Sequence, residues 1–511
     1  MATPIAPTTA QTPTAQATTA QAPTAQAPTF RTRAFIDGDF VDAASGRTYQ
    51  VVNPANNRPL ADVAACDLAD VDRAVTAARR AAPGWAATAP AERKRILIRF
   101  ADLIDAHAEE LALIESLDVG KPIADTRALD VPESAATIRW HAEAIDKLYG
   151  QVGPTGPGAV SMVVREPVGV VGCVIPWNYP LQMAAWKLGP ALATGNTVVI
   201  KPAQVTSLSL LRTAELAADA GLPAGVLNVV TGPGGIVGTA IARHPGIDAV
   251  AFTGSTEVGR TFLSHSAETN LKRVALELGG KSPQVVMADA GDLDRVAERV
   301  AGAIFWNMGE NCSAGSRLLV DRRVKGQLLD RLVAITEREW LVGDPLDPAT
   351  RVGPLITPEH MRKVLGYIEA GRAEGARPVS GGTRVLEETG GNFVAPTIFD
   401  GATNRMRIAR EEIFGPVLTV IEFDGEDEAV ALANDTDYGL AASLYTEDIT
   451  TAHRMARAIR AGTVAVNCYS EGDLATPFGG YKQSGFGGHD KSVHAHDQYT
   501  ELKTIWIDLE R

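Results

Sequence analysis

Apolar and polar positions follow two regimes along the chain. From Phe35 the stretch FIDGDFVDAASGRTYQVVNP carries two short β-rich runs punctuated by Asp-Gly and Ser-Gly turn signals. A helical period follows. Pro90 suits a first turn, and Ile96, Leu97, Phe100, Leu103, Ile104, Leu111 and Ile114 recur at three- and four-residue steps until Gly120-Lys121-Pro122 breaks the pattern. One long amphipathic helix packed on a core is therefore predicted. From Val168 the pattern changes to short, continuously apolar runs separated by helical segments: VGVVGCVIP, NTVVIKP, VLNVVTG, AVAFTGS and VALELGG. Strands apolar on both faces belong in a parallel sheet covered by helices on each side. A second series, PQVVMAD, RLLVDRRV, PVLTVIEF and TVAVN, predicts a second α/β unit. In such sheets ligands bind in the crevice outside the carboxyl ends of the strands.

Composition narrows this picture. At about 150 residues per domain, 511 residues suggest three domains or two large ones. Residues 1–29 contain no Asp, Glu, Lys or Arg and repeat a TAQAPTAQAPT theme, too little apolar surface to offset chain entropy, so a disordered tail is expected there. The tail has neither the basic start and apolar core of a secretory signal nor the spaced arginines of a mitochondrial presequence. A net charge of −13 disfavours nucleic acid and anionic membrane as partners. The apolar runs stop well short of the ~18 residues of a membrane helix. Four cysteines, at 66, 173, 312 and 468, are scattered without CxxC or Cys/His clustering, so no zinc site, no disulfide framework and a reduced, cytoplasmic setting are expected.

Three glycine-rich turns invite comparison with phosphate cradles. Gly232–Gly238 misses GxGxxG because Val237 holds the last position; Gly254–Thr261 approaches a Walker A loop but has Arg260 in place of lysine; Ala275 stands where a loop ending in Gly280-Lys281-Ser282 would need its first glycine. None is a P-loop. Thr253-Gly254-Ser255 reads as a strand end with a helix starting at Ser255 or Thr256; its N–H groups either receive a pyrophosphate or merely punctuate the chain. Cys66, Cys173 and Cys468 read as small buried hydrophobes, whereas Cys312 lies in the polar loop WNMGENCSAGS, as a nucleophile or as a structural loop cysteine. Glu277 closes an apolar strand, where a carboxylate is either paired or kept for chemistry. Asn178, between Pro176 and Pro180, is a turn former or an amide held in a fixed direction.

With these residues in view, the chain from about Phe35 to Leu509 resembles the NAD(P)-dependent aldehyde dehydrogenase superfamily. The resemblance rests on ordered motifs: PWNYP at 176–180, KPA at 201–203, FTGSTEVG at 252–259, LELGGKSP at 276–283, GENCSAGSR at 309–317, EEIFGPV at 411–417 and PFGGYKQSG at 477–485. It implies an α/β fold with a Rossmann-like cofactor domain (30–148 and 168–280), an α/β catalytic domain (281–483) and a small β oligomerisation arm (149–167 and 484–511). Cys312 is then the nucleophile, with Asn178 and the Cys312 N–H holding the oxyanion and Glu277 activating the hydrolytic water. For the cofactor it implies Lys201, Gln204, Pro176, Trp177, Gly254, Ser255, Gly259, Gly279, Glu412 and Phe414. Gln204 stands where many NAD-preferring relatives have Glu, so NAD⁺ use with tolerance of NADP⁺ is expected. No metal is implied.

Within the superfamily the sequence is similar to the γ-glutamyl-γ-aminobutyraldehyde dehydrogenases of putrescine degradation, through KPI at 121–123, IRWHAEAIDKLYG at 138–150, EGDLATPFGGYKQSG at 471–485 and DKSVHA…YTELKTIWI near the C-terminus. This implies an aminoaldehyde substrate, with Trp186, Asp118, Glu471, Asp473 and Phe478 as tail-binding candidates. The alternatives are a betaine-aldehyde or broad-specificity enzyme, and, more distantly, a non-catalytic structural relative. A homodimer or homotetramer is expected, since an exposed TELKTIWIDL strand needs a pairing partner.

Overall fold

The structure, a computed structural model, describes residues 28–510. The tail expected to be disordered therefore lies, but for Pro28 and Thr29, outside the described residues.

The predicted parallel series forms an eight-stranded sheet. In spatial order its strands are Gly485–Phe486, Arg273–Glu277, Ala249–Thr253, Val170–Val174, Thr197–Lys201, Leu227–Val229, Ala34–Ile36 and Asp39–Val41. The five from Arg273–Glu277 to Leu227–Val229 are parallel, and antiparallel strands close both edges. Val170–Val174, Thr197–Lys201 and Ala249–Thr253 are buried at every position, as helices on both faces require. The second series forms a seven-stranded sheet ordered Arg377–Ser380, Thr397–Asp400, Val417–Phe423, Arg317–Asp321, Pro283–Val286, Ala441–Tyr445 and Thr463–Val466. Only its first pair is antiparallel.

Two readings change. The long helix is two helices, Pro90–Ala106 and Ala108–Val119, because His107 leaves helical geometry (φ −109°, ψ 21°) and caps the first of them. The apolar period runs unbroken across the joint because both halves pack on the same core. The strand Ala441–Tyr445 escapes the apolar-run search because two alanines and a serine dilute AASLY, although every position is buried.

A third, three-stranded sheet stands apart. Thr500–Asp508 pairs antiparallel with Ala159–Pro167 along its whole length, and Gln151–Gly153 pairs on the other side. The 484–511 segment is divided: Gly485–Phe486 joins the first sheet beside Glu277, and Thr500–Asp508 forms the arm. No helix among the described residues is long and apolar enough to cross a membrane.

Candidate active site

Three adjacent strands of the first sheet deliver residues to one cavity of about 380 Å³. Val170–Val174 continues into Pro176, Trp177 and Asn178; Ala249–Thr253 into Gly254 and Ser255; Arg273–Glu277 ends on Glu277 itself, followed by Leu278 and Gly279. All three approach by their carboxyl ends, as expected of an open α/β sheet. The second sheet contributes differently. Cys312 precedes the Arg317–Asp321 strand, and Glu412 and Phe414 precede Val417–Phe423, so these residues come from loops at the amino ends of their strands.

The Cys312 loop is held in an unusual backbone path. Asn307, Met308 and Gly309 have φ of 49°, 57° and 69° in succession. Left-handed geometry suits Asn and Gly but costs a Met roughly 1–3 kcal/mol, so the surroundings must hold it. They do: Met308 is fully buried, Asn307 Nδ2 donates to Asn178 O (3.3 Å) and Glu310 O (3.0 Å), and a side chain on Gly309 would collide with Gly415 O. Asn178 Nδ2 donates to the same Glu310 carbonyl at 2.8 Å, which fixes the amide and leaves its second N–H free of protein partners among the described residues. Pro180 starts the following helix, Pro180–Ala193, at a position where a missing N–H costs nothing.

Electrostatics are set by burial. Burial, then the Glu471, Glu277 and Glu412 carboxylates, push the Cys312 thiol well above its ordinary value, so at rest it keeps its proton. Burial also pushes the Glu277 carboxyl well up; Asp490 adds to this, Lys187 opposes it, and Glu471 adds further. Asp490 is tied to Lys187 at 2.5 Å. Glu277 Oε1 is buried without a hydrogen-bond partner among the described residues, which leaves it free to take a water.

On the opposite wall Trp177 meets Phe414 edge-on at 5.2 Å, and Phe414 has φ 60°. His360 Nε2 donates to the Phe414 carbonyl at 2.6 Å, and burial drives this imidazole down to about 4, so it is neutral. Glu412 accepts the Gly280 N–H at 3.0 Å, and a Cβ on Gly279 would occupy the Glu412 carboxylate. Ser255 caps the helix Thr256–Glu268 by accepting the Val258 N–H, and that helix begins at the cavity mouth. A backbone stripped of side chain at 279, an anchored carboxylate, an aromatic pair and a capped helix start fit a dinucleotide better than a small ligand. Lys201, Gln204 and Gly259 lie off this cavity. Lys201 Nζ donates to Pro202 O at 2.6 Å, and burial lowers its ammonium to about 8. Gly259 is where the helix packs on Leu278, whose Cδ2 would lie 2.8 Å from an added Cβ.

Of the tail-binding candidates, Trp186, Glu471 and Phe478 line the cavity, with Trp186 and Phe478 edge-on at 5.3 Å. Glu471 is hydrogen-bonded to Ser313 Oγ, which also lies 2.6 Å from Tyr469 OH, and Tyr469 takes an N–H from Asn311. The loop carrying Cys312 is thus bonded to the 469–471 segment. Two candidates are corrected. Asp118 is fully buried away from the cavity, where its carboxylate accepts the Leu208 N–H at 2.9 Å and secures a helix start. Asp473 is exposed and spends its carboxylate on the Ala475 N–H in its own turn. Conversely, Glu133, His360, Tyr469 and Lys491 line the cavity without having been site candidates, although Lys491 lies in the DKSVHA string of the resemblance. Glu133 stands in no quoted motif, whereas the DKSVHA string at 490–495 was the signal that could have pointed to Lys491.

Comparison with known proteins agrees with this geometry. The model of the aldehyde dehydrogenase family matches residues 40–505. The chain is 58% identical over 475 residues to an aminoacetaldehyde dehydrogenase of Pseudomonas aeruginosa, covering 93% of this chain and 95% of that one. An indole-3-acetaldehyde dehydrogenase solved in complex with NAD⁺ superposes with a TM-score of 0.93 at 53% identity, covering 94% and 97% of the two chains. A γ-glutamyl-γ-aminobutyraldehyde dehydrogenase of Burkholderia cenocepacia gives 0.92 at 54% identity, with the same coverage. On fold, site and sequence together, the chain belongs to the aldehyde dehydrogenase family.

Proposed function

We propose that this NAD(P)-dependent aldehyde dehydrogenase oxidises an aminoaldehyde, of the 4-aminobutanal or γ-glutamyl-γ-aminobutyraldehyde type met in putrescine degradation, to its carboxylate. The observation that carries this reading is the company kept by Cys312: one cavity holds the thiol, the Asn178 amide and Glu277 together with the carboxyl groups of Glu471 and Glu133 and the Trp306 ring. Carboxylates and aromatic rings are what an ammonium-bearing tail meets favourably. The named relatives that act on aminoacetaldehyde and on γ-glutamyl-γ-aminobutyraldehyde support the same class.

Cys312 Sγ attacks the aldehyde carbon and forms a thiohemiacetal, its proton passing to a carboxylate of the cavity. The oxyanion takes the free Asn178 N–H and the Cys312 backbone N–H; removing one such donor typically costs about 3 kcal/mol of barrier. When bound, the nicotinamide supplies the hydride acceptor. Pro176, Trp177, Gly279, Glu412 and Phe414 would hold its end of the dinucleotide, and Lys201, Gln204, Gly254, Ser255 and Gly259 the remainder. Gln204, carrying no charge, leaves a 2′-phosphate unrepelled, so NADP⁺ is tolerated beside NAD⁺. Glu277 then takes a proton from water, which hydrolyses the thioester. The arm strand, unpaired on one edge, makes the enzyme a homodimer or homotetramer. The four unpaired cysteines suit a reducing cytoplasm.

A betaine-aldehyde or broad specificity is the second reading, favoured by the aromatic lining, to which Tyr179 and Trp306 add. A steady-state panel of 4-aminobutanal, its γ-glutamyl form, betaine aldehyde, propanal and benzaldehyde, with each cofactor, separates the two. The aminoaldehydes are expected to give the highest kcat/KM, and equal values across the panel would remove the amine-tail argument.

A further inference from the structure

Lys491 is a cation in an unexpected place. It is 1% exposed yet lines the cavity, and it forms no salt bridge with a carboxylate among the described residues. A buried ammonium without a counter-ion is costly unless something else holds or uses it. Its Nζ donates to the carbonyls of Glu471 (3.0 Å) and Gly472 (3.4 Å) and sits 5.1 Å from the Trp186 ring centre and 5.6 Å from that of Phe478. Those contacts use two of its three N–H donors; the two rings and the charge of the nearby Glu133 carboxyl, at more than salt-bridge distance, face the ammonium as well. The backbone is committed to this placement: Lys491 (φ 65°) and Ser492 (φ 56°) are consecutive residues of positive φ, a geometry that neither side chain favours. In the same cavity Glu133 presents a half-buried carboxyl that likewise forms no salt bridge.

We propose that Lys491 and Glu133 form a charge-reading pair for the tail of the substrate: Lys491 takes a carboxylate and Glu133 an ammonium, so that the site selects aldehydes ending in an amino-acid head group over those with a lone amine. This rests on the aminoaldehyde reading and sharpens it. A buried ammonium held short of a salt bridge disfavours a tail carrying only positive charge, and a zwitterionic tail satisfies both walls at once. The Glu471 carboxylate, bonded to Ser313, is left to the loop that carries Cys312.

The test uses three aldehydes of equal length: γ-glutamyl-4-aminobutanal, its N-glutaryl analogue, which lacks the ammonium, and its N-(4-aminobutanoyl) analogue, which lacks the carboxylate, with propanal as a tail-free control. Lys491→Met is expected to lower kcat/KM about 10- to 100-fold, the range of one charged hydrogen bond, for the γ-glutamyl and glutaryl substrates, mainly through KM. It should leave propanal unchanged and the aminobutanoyl analogue unchanged or improved. Glu133→Gln is expected to give the complementary pattern, weakening the two ammonium-bearing substrates and sparing the glutaryl one. Equal losses on all four aldehydes, propanal included, would reduce Lys491 to a structural clamp on the 471–472 carbonyls and overturn the proposal; so would no loss on the carboxylate-bearing pair. Failure of the underlying aminoaldehyde reading looks different: the wild-type enzyme would prefer propanal to every charged substrate.

Discussion

The proposed chemistry turns on the Cys312 thiol and the Glu277 carboxyl, both pushed upward by burial. A carboxyl with a raised pKa holds its proton at lower pH and becomes a base only as pH climbs through that raised value, so turnover should increase from neutral toward alkaline pH. Glu277→Gln should keep a stoichiometric burst of NADH, since hydride leaves before water attacks, while steady-state turnover falls by about 100-fold or more, the scale of general base catalysis. A stopped-flow trace at 340 nm distinguishes the phases, and loss of the burst would take Glu277 out of the deacylation step. Motifs made Cys312, Glu277 and Asn178 legible because each sits in a distinctive local string. Glu133 has no such string and the DKSVHA string around Lys491 carries no evident chemistry, and their meeting in one cavity depends on a chain reversal of more than 300 residues. Asp118 failed as a substrate contact for the same reason: a carboxylate after a helix looks identical in sequence whether it faces a ligand or, as here, a backbone N–H.

Elements were legible where a single period dominates. The fully apolar runs became the buried parallel strands, and Ser255 became the helix cap anticipated for it. The break at His107 was hidden because a one-residue departure does not disturb the apolar spacing of two helices sharing a core. Turns at the cavity impose a sharper demand that only the fold exposes. Gly279 has no room for a methyl because Glu412 reaches over it to the Gly280 N–H. Gly279→Ala should therefore displace Glu412 and raise the KM for NAD⁺ roughly 10-fold or more, a loss of about 1.4 kcal/mol in binding, while thermal stability changes little. Isothermal titration with NAD⁺ measures this directly, and unchanged affinity would mean that Glu412 does not touch the cofactor.

At the scale of the molecule, the arm carries a prediction about assembly. Thr500–Asp508 is paired on one edge only, and Leu502 (67% exposed), Trp506 (64% exposed) and Ile507 stand open to solvent on it. Such a strand in a soluble protein needs covering. Light scattering should find a dimer or tetramer, and the double substitution Leu502→Glu with Trp506→Glu should reduce the assembly toward the monomer; a wild-type monomer would show that the arm has another purpose. The exposed TELKTIWIDL strand was expected from the family resemblance, not from its own pattern, in which Ile505, Trp506 and Ile507 run together without alternation. The parallel strands and the glycine turns were readable from the sequence, each specified by residues within a few positions of one another. The sequence could not reveal that the second sheet meets the cavity through loops preceding its strands, that Gly485–Phe486 returns to flank Glu277, or that a lysine near the chain end enters the substrate cavity. Those facts come from packing two sheets against each other, where side chains hundreds of residues apart compete for the same buried volume and the same unpaired charge.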